Sequence, residues 1–224
     1  MNRRQALIDE IAAEAAATAE YTGRAAFDAR VMAAIAKVPR HEFVPAAEER
    51  HAYINNALPI GHGQTISQPY IVALMTDLLN PRPTHCVLEI GTGSGYQAAV
   101  LSELVRQVYS IEVIPELAAE AGERLLRLGY RNVSVKAGDG NAGWPEHAPY
   151  DGIIVTAAAA KVPQTLLAQL RNGGRMIIPV GANGSQELVL IEKSASGAIS
   201  ERSVLPVAFV PLVAGRRLRG GRVL

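Results

Sequence analysis

The sequence predicts an α/β protein: a doubly wound, mostly parallel, Rossmann-like sheet with a C-terminal antiparallel hairpin and an N-terminal helical cap. Three observations predict it. From Pro81 onward, short apolar runs alternate with helical patterns, the rhythm of βαβ units. The first run passes straight into a glycine-rich turn, Gly91-Thr92-Gly93-Ser94-Gly95, at the kind of strand end where such sheets bind ligands. The 224 residues suffice for one domain of this type with a modest extension, and are too few for two.

The first eighty residues read as helices and loops. Leu7, Ile11 and Ala15 recur at helical spacing and Gly23 ends that segment. A second helix is expected from Ala25 to Lys37, with Val31 and Ile35 on one face and a stop before Pro39. Ala57 to Pro69 reads as a loop. A third helix follows, with Ile71, Leu74, Met75 and Leu78 as its buried side.

After Pro81 come five expected strands: Cys86 to Ile90, Val108 to Ile111, Val133 to Val135, Ile153 to Thr156 and Met176 to Val180. All are short and apolar, as strands buried on both faces are. Helical patterns lie between them at Tyr96 to Leu104, Pro115 to Leu128 and Pro163 to Leu170. Pro115 and Pro163 suit first-turn positions, and Gly129 suits a helix C-terminal cap. Glu187 to Glu192 and Val204 to Leu212 read as strands of a hairpin, joined by a polar stretch, Lys193 to Arg202, too poor in apolar residues for a packed helix. The expected organisation is a single domain: a helical cap at 1–80 carrying the loop 57–69, a core at 81–213 and a basic tail at 214–224.

Composition narrows the class. Apolar residues make up 49% and charged residues 19%, a globular balance without disordered or fibrous bias. A formal net charge of +1 gives no overall electrostatic footprint for nucleic acid. Arg216, Arg217, Arg219 and Arg222, interspersed with glycines, read as a frayed terminus rather than a binding arm. Cys86 is the only cysteine, so neither a disulfide framework nor a thiolate metal site is expected, and a reducing compartment is. Behind Arg3 and Arg4 no long apolar run follows, so no signal peptide or membrane anchor is expected. A cytoplasmic monomer without metal is the expectation.

The glycine turn is preceded by Glu89. Glycines allow a tight turn and close backbone approach to a ligand. A dinucleotide fingerprint needs a glycine at its sixth position, where Tyr96 stands, and no Gly-Lys-Ser or Gly-Lys-Thr of a P-loop is present. What remains, Glu-x-Gly-x-Gly-x-Gly, resembles class I methyltransferases, whose cofactor carries no phosphate. Glu89, Gly91, Thr92, Gly93, Ser94 and Gly95 are therefore candidate contacts for S-adenosylmethionine, and an acid there suits a ligand bearing an ammonium and a sulfonium. Glu112 ends the second strand, where a carboxylate can accept from ribose hydroxyls. Asp139 and Gly140 end the third, where the acid could accept from the adenine amino group. The alternative for each acid is a helix N-cap or a solvated loop; three acids at three successive strand ends argue against coincidence.

A more specific resemblance rests on Val38-Pro39-Arg40-His41-Glu42-Phe43-Val44-Pro45, on Gly63-Gln64-Thr65-Ile66-Ser67-Gln68-Pro69 and on Leu88 to Gln97. Gly138-Asp139-Gly140, Gly143-Trp144, Pro149 to Ile153, Leu170 to Gly174 and Phe209-Val210-Pro211-Leu212 belong to the same pattern. Over roughly Val31 to Val213 the chain resembles protein-L-isoaspartate O-methyltransferases. The resemblance implies methyl transfer from S-adenosylmethionine to the free α-carboxylate of L-isoaspartyl residues in damaged proteins or peptides, leaving S-adenosyl-L-homocysteine. The ester then collapses to a succinimide. It implies Ser67 as the active-site residue, with Thr65 in the same loop, and the last two strands exchanged relative to other class I methyltransferases. The alternatives are a methyltransferase acting on a carboxyl or hydroxyl of a dedicated peptide or small metabolite, and a non-catalytic cofactor-binding module.

The residues fit such chemistry. An α-carboxylate, with a reference pKa of about 3.3–3.7, is already ionised at neutral pH, so no general base is required. Ser67 reads as a positioning hydroxyl, or as the N-cap of the helix after Pro69. His62 reads as a loop residue or a base for a less acidic acceptor. Trp144 and Tyr150 read as packing residues, Asp151 as a turn cap, and Arg40 and His41 as anchors of the cap. Phe209 to Leu212 reads as a core strand or as backbone for an extended peptide.

Overall fold

Every apolar run after Pro81 becomes a strand in the computed structural model, which describes residues 3–182 and 184–214. Two short strands come first, β1 (Leu58–Gly61) and β2 (Gln64–Ile66). Then follow β3 (Cys86–Ile90), β4 (Gln107–Glu112), β5 (Val133–Ala137), β6 (Tyr150–Val155), β7 (Leu170–Ala182), β8 (Ser185–Lys193) and β9 (Ile199–Val207). The last seven form one sheet in the order β5-β4-β3-β6-β7-β8-β9. The strands from β3 to β7 are parallel, and β8 and β9 add antiparallel pairs. This is the expected doubly wound sheet, with its order reversing beside β3. The last two strands lie in chain order, β8 against β7 and β9 at the edge.

The helices are α1 (Arg3–Ala17), α2 (Ala19–Thr22), α3 (Ala29–Lys37), α4 (Pro69–Leu79), α5 (Tyr96–Ser102), α6 (Pro115–Arg127) and α7 (Gln164–Gln169). Strand residues alternate between two cores, as the two-residue strand period requires. Val87, Ile154 and Ile177 pack with the apolar faces of α1, α3, α4, α5 and α6. Leu88, Ile153 and Met176 pack on the opposite side with Leu166 of α7. In α4 every residue except Ile71 is buried, so the helix is a core element and not an amphipathic surface one. Ile71, expected on its buried side, is the exception.

Several boundaries differ from the sequence expectation, each for a local reason. The second helix starts at Ala29, because the Asp28 carboxylate accepts from the Arg30 amide at 2.8 Å and caps it there. The stretch 57–69 contains a hairpin: β1 pairs antiparallel with β2 across His62 and Gly63, whose φ values are 52° and 69°. Pro163 is the N-cap of α7 rather than a first-turn residue, whereas Pro115 does lie in the first turn of α6. The second hairpin strand begins at Ile199, within the stretch read as a connection, and ends at Val207, not Leu212. As an edge strand with one solvated face, it accommodates Ser200, Glu201 and Arg202. The arginine-rich tail from Gly215 onward lies outside the described residues.

After β9 the chain leaves the sheet edge and crosses back over the strand ends. The Ala158 amide donates to the Val210 carbonyl at 2.8 Å, and the Leu212 amide donates to the Ala158 carbonyl at 2.7 Å. This return lays residues 209–212 across the mouth of the sheet, where β1 and β2 also arrive.

Candidate active site

The carboxyl ends of β3, β4 and β6 and the loop after β5 surround a cleft of about 200 Å³. Gly91, Thr92, Gly93 and Ser94 form its floor, Glu112, Val113 and Ile114 one wall, and Gly140, Thr156 and Ala157 the next. The β1–β2 hairpin and residues 210–213 close it from above. The glycine turn bends here because Gly91 holds φ 95° and a side chain at that position would strike the Thr156 hydroxyl. Thr156 ties the turn down by donating to the Gly91 carbonyl at 2.7 Å.

Glu112 is buried, and both its oxygens are engaged by backbone amides. Gly93 donates to one at 2.8 Å and Ile114 to the other at 3.1 Å. Each oxygen keeps a further lone pair for a ligand. Glu89 lies beneath the turn rather than in the cleft wall. It is fully buried, accepts a short hydrogen bond from the Ser110 hydroxyl, and has one oxygen, Oε1, without a partner. Burial pushes its pKa up to about 8; the Ser110 hydrogen bond works against that rise and the nearby Glu112 charge adds to it. The Ser110 hydroxyl also meets Thr92 Oγ1 at 2.6 Å, so Glu89 and the turn share one buried network.

Asp139 is likewise outside the cleft wall. Its carboxylate accepts from the Asn141 amide at 2.9 Å and caps a short 3-10 turn, Gly140–Ala142. Through this cap it sets the position of Gly140, which does line the cleft and where a side chain would collide with Ile90. Gly95, with φ 89°, is the N-cap of α5 and packs against Leu125.

A second cavity, of about 540 Å³, adjoins the first. Glu14, Asn56, Gln68 and Tyr70 bound it on one side and Leu205 to Val210 on the other. Thr65, Ser67, Thr156 and Val210 line both cavities. Thr65 and Ser67 are two apart in extended chain, the spacing of residues on one face. Among the described residues neither hydroxyl has a hydrogen-bond partner, and the N-cap of α4 is Gln68, not Ser67.

Other expectations fall elsewhere. Tyr150 is buried and donates to the Trp144 carbonyl at 2.6 Å, and Lys136 sits 4.2 Å over the Trp144 ring, so both aromatics pack away from the cavities. Asp151 does not cap a turn: its carboxylate accepts from the Cys86 amide at 2.7 Å and pairs with Arg171, pinning the start of β3. His62, exposed at the hairpin tip, does border the cleft. Val210 lies in the segment read as possible backbone for a peptide, whereas Val113, Ile114 and Thr156 are site residues that the sequence reading does not single out. Thr156 closes the fourth apolar run, and Val113 and Ile114 follow Glu112, so strand-end position was the available signal.

Among the described residues no helix is long and apolar enough to cross a membrane. None of their His, Cys, Asp and Glu side chains form a group of three or more able to hold a metal ion.

Comparison with known proteins converges with this geometry. Residues 14–217 match the family described as Protein-L-isoaspartate(D-aspartate) O-methyltransferase (PCMT). A relative from Cupriavidus necator, named Protein-L-isoaspartate O-methyltransferase 1, is 62% identical over 212 residues, covering 94% of this chain and 82% of its own. Protein-L-isoaspartate O-methyltransferase 2 of Syntrophobacter fumaroxidans is 61% identical, covering 95% and 86%. A solved protein-L-isoaspartate O-methyltransferase superposes with TM-score 0.83 at 29% identity, covering 95% of this chain; the chain spans 66% of that structure's length. A Plasmodium falciparum protein solved in complex with S-adenosyl-L-homocysteine shares the fold, with TM-score 0.79 at 23% identity over 95% of this chain and 99% of its own. The chain belongs to the protein-L-isoaspartate(D-aspartate) O-methyltransferase family.

Proposed function

We propose that Thr65 and Ser67 position the acceptor where the two cavities meet, for the reaction this family performs. That reaction is methyl transfer from S-adenosylmethionine to the free α-carboxylate of an L-isoaspartyl residue in a damaged protein or peptide. The chain is an S-adenosylmethionine-dependent methyltransferase of that class. After S-adenosyl-L-homocysteine is released, the following backbone amide nitrogen attacks the methyl ester and expels methanol, giving a succinimide that water can reopen to aspartate. The observation that carries the assignment is the pair of unpartnered hydroxyls on one face of the chain, in the wall common to both cavities.

The residues of the first cleft fit the cofactor. Gly91, Thr92, Gly93 and Ser94 hold its amino-acid part by close backbone approach, with the unpartnered Glu89 Oε1 behind them. Glu112 accepts from the ribose, and Gly140, held in place by the Asp139 cap, stands beside the adenine with Ile111 and Val113. When bound, the cofactor supplies a sulfonium-activated methyl group. The α-carboxylate is already ionised at neutral pH, so the chain supplies alignment rather than a base, and alignment alone is worth effective molarities of roughly 10⁵–10⁸ M. Ser67 donates one hydrogen bond to a carboxylate oxygen and keeps the other in line, with Thr65 beside it.

The decisive experiment compares an isoaspartyl peptide with its normal aspartyl twin. Methylation of the isoaspartyl peptide alone is expected. Equal methylation of both, or of neither, would overturn the acceptor assignment in favour of a dedicated peptide or small metabolite.

We also read the chain as a single-domain cytoplasmic monomer without nucleic-acid partners. Among the described residues the exposed large apolar side chains, Tyr21, Ile54, Leu126 and Ile199, are scattered over separate elements; the net charge is +1 and the chain has one cysteine.

A further inference from the structure

Arg40 is the largest fully buried side chain of the protein's described residues, and it forms no ion pair. Its Nη2 donates to the Ser67 carbonyl at 2.8 Å and to the Asn56 carbonyl at 3.2 Å. Nε and Nη1 are buried with no acceptor. The guanidinium lies 4.8 Å from the centre of the Tyr96 ring, without a hydrogen bond of good geometry to the Tyr96 hydroxyl, itself buried and unpartnered. Burial pushes the Arg40 pKa down, yet arginine remains charged in proteins. A buried cation with two unmet donors is costly, so it calls for a counterpart.

The cavity walls sharpen the point. Among the described residues neither cavity has a lysine or arginine in its wall, whereas Glu112 lines the first and Glu14 the second. Glu14 is held in place by Asn55 at 2.6 Å and by Gln68 at 3.3 Å. A carboxylate acceptor entering between these acids meets like charge on both sides. Behind Ser67, one hydrogen bond away, stands the Arg40 guanidinium.

We propose that Arg40 is a positioning residue for the acceptor, fixing the Ser67 segment through its carbonyl and supplying from behind it the positive charge that draws the acceptor carboxylate to Ser67. This rests on the reading of Thr65 and Ser67 as the acceptor site. Methyl transfer turns the carboxylate into a neutral ester, so the attraction acts on bound substrate more than on the transition state or product. Its loss therefore shows in the acceptor KM rather than in kcat, and its presence helps the ester leave.

The test measures binding of two peptides to the full chain saturated with S-adenosyl-L-homocysteine, whose neutral sulfur removes the sulfonium charge from the comparison. One peptide carries isoaspartate; the other carries isoasparagine, its α-carboxamide counterpart, of the same shape without the charge. The unsubstituted protein should bind the first roughly tenfold more tightly, a difference of about 1.4 kcal/mol. That preference should survive raised salt, because a buried charge is screened little. Arg40→Gln should abolish the preference by weakening the isoaspartyl peptide alone, while Arg40→Lys, which keeps the charge, should retain most of it. Equal weakening of both peptides in Arg40→Gln, or equal losses in the Gln and Lys variants, would mean a purely structural arginine and overturn the proposal. A preference that disappears in salt, measured without any variant, would overturn it too. If the unsubstituted protein binds neither peptide, the acceptor assignment itself has failed.

Discussion

The amide of Gly93 donates to the Glu112 carboxylate at 2.8 Å, so the acid at the end of β4 holds the glycine turn at the end of β3. The same carboxylate stands in the cleft wall. Glu112→Ala strands the Gly93 amide and removes a ligand acceptor together. The loss of one charge-assisted hydrogen bond is worth about 1.5–3 kcal/mol. Titration calorimetry with S-adenosyl-L-homocysteine should therefore show affinity falling by roughly ten- to hundredfold.

Asp139 separates capping from ligand contact. Asp139→Asn keeps an oxygen for the Asn141 amide, now received at 2.9 Å, whereas Asp139→Ala does not. The alanine variant should weaken cofactor binding about fivefold, matching a lost cap of roughly 1 kcal/mol, and the asparagine variant should stay within twofold of the parent. Equal loss in both would show that the carboxylate charge, not the cap, is what the cofactor needs.

Ser67→Ala should slow turnover while cofactor affinity stays within about twofold. The hydroxyl is free of protein partners and lies at the junction of the cavities, so removal leaves no buried group unpaired. Losing a hydrogen bond to an ionised acceptor costs about 1.5–3 kcal/mol, or roughly ten- to hundredfold in kcat/KM for the isoaspartyl peptide. A large fall in cofactor affinity instead would contradict the division between the two cavities.

Glu89 predicts a pH signature. Its folded pKa, about 8, lies above the unfolded value of about 4.3. Between these values the folded state holds a proton that the unfolded state has lost, so stability falls as pH rises, by up to about 1.4 kcal/mol per pH unit. The contribution is fully present below the unfolded pKa and gone above the folded one. Glu89→Gln removes this slope while keeping a neutral group of the same shape. Denaturant melts of both proteins across pH 4 to 8 should converge at the acid end and separate progressively toward the alkaline end, the glutamine variant being the more stable.

What was legible in the sequence follows from where its signals lie. The strands β3 to β7 announce themselves because a sheet buried on both faces demands continuous apolar runs. Glu89, Glu112 and Asp139 stand out because acids are unusual at the ends of such runs. Their placement was not legible: that Glu89 sits beneath the turn and Asp139 caps the turn carrying Gly140 depends on contacts with Ser110 and Asn141. The β1–β2 hairpin hid because its strands are only four and three residues long and their partners lie outside any local pattern. Arg40, read as an anchor of the cap, anchors Ser67 across 27 positions of chain, a relationship that no spacing rule expresses. Val210 enters the site only because the segment after β9 turns back over Ala158.

That returning segment is secured by Gln186, and it furnishes the last prediction. Gln186 is buried on β8, accepting from the Phe209 amide at 2.6 Å and donating to the Phe209 carbonyl at 3.0 Å. One side chain thus satisfies both backbone groups of the residue that precedes Val210 in the shared wall. Gln186→Ala leaves both groups unpaired, at about 1–3 kcal/mol each where they stay buried, and frees the segment that borders both cavities. A lower melting temperature is expected, together with a raised KM for peptide and for cofactor alike. Gln186→Glu can still accept from the amide but cannot donate to the carbonyl, and should fall between the two. If Gln186→Ala lowered stability while leaving both KM values unchanged, residues 209–212 would be a cover for the sheet and not a wall of the site.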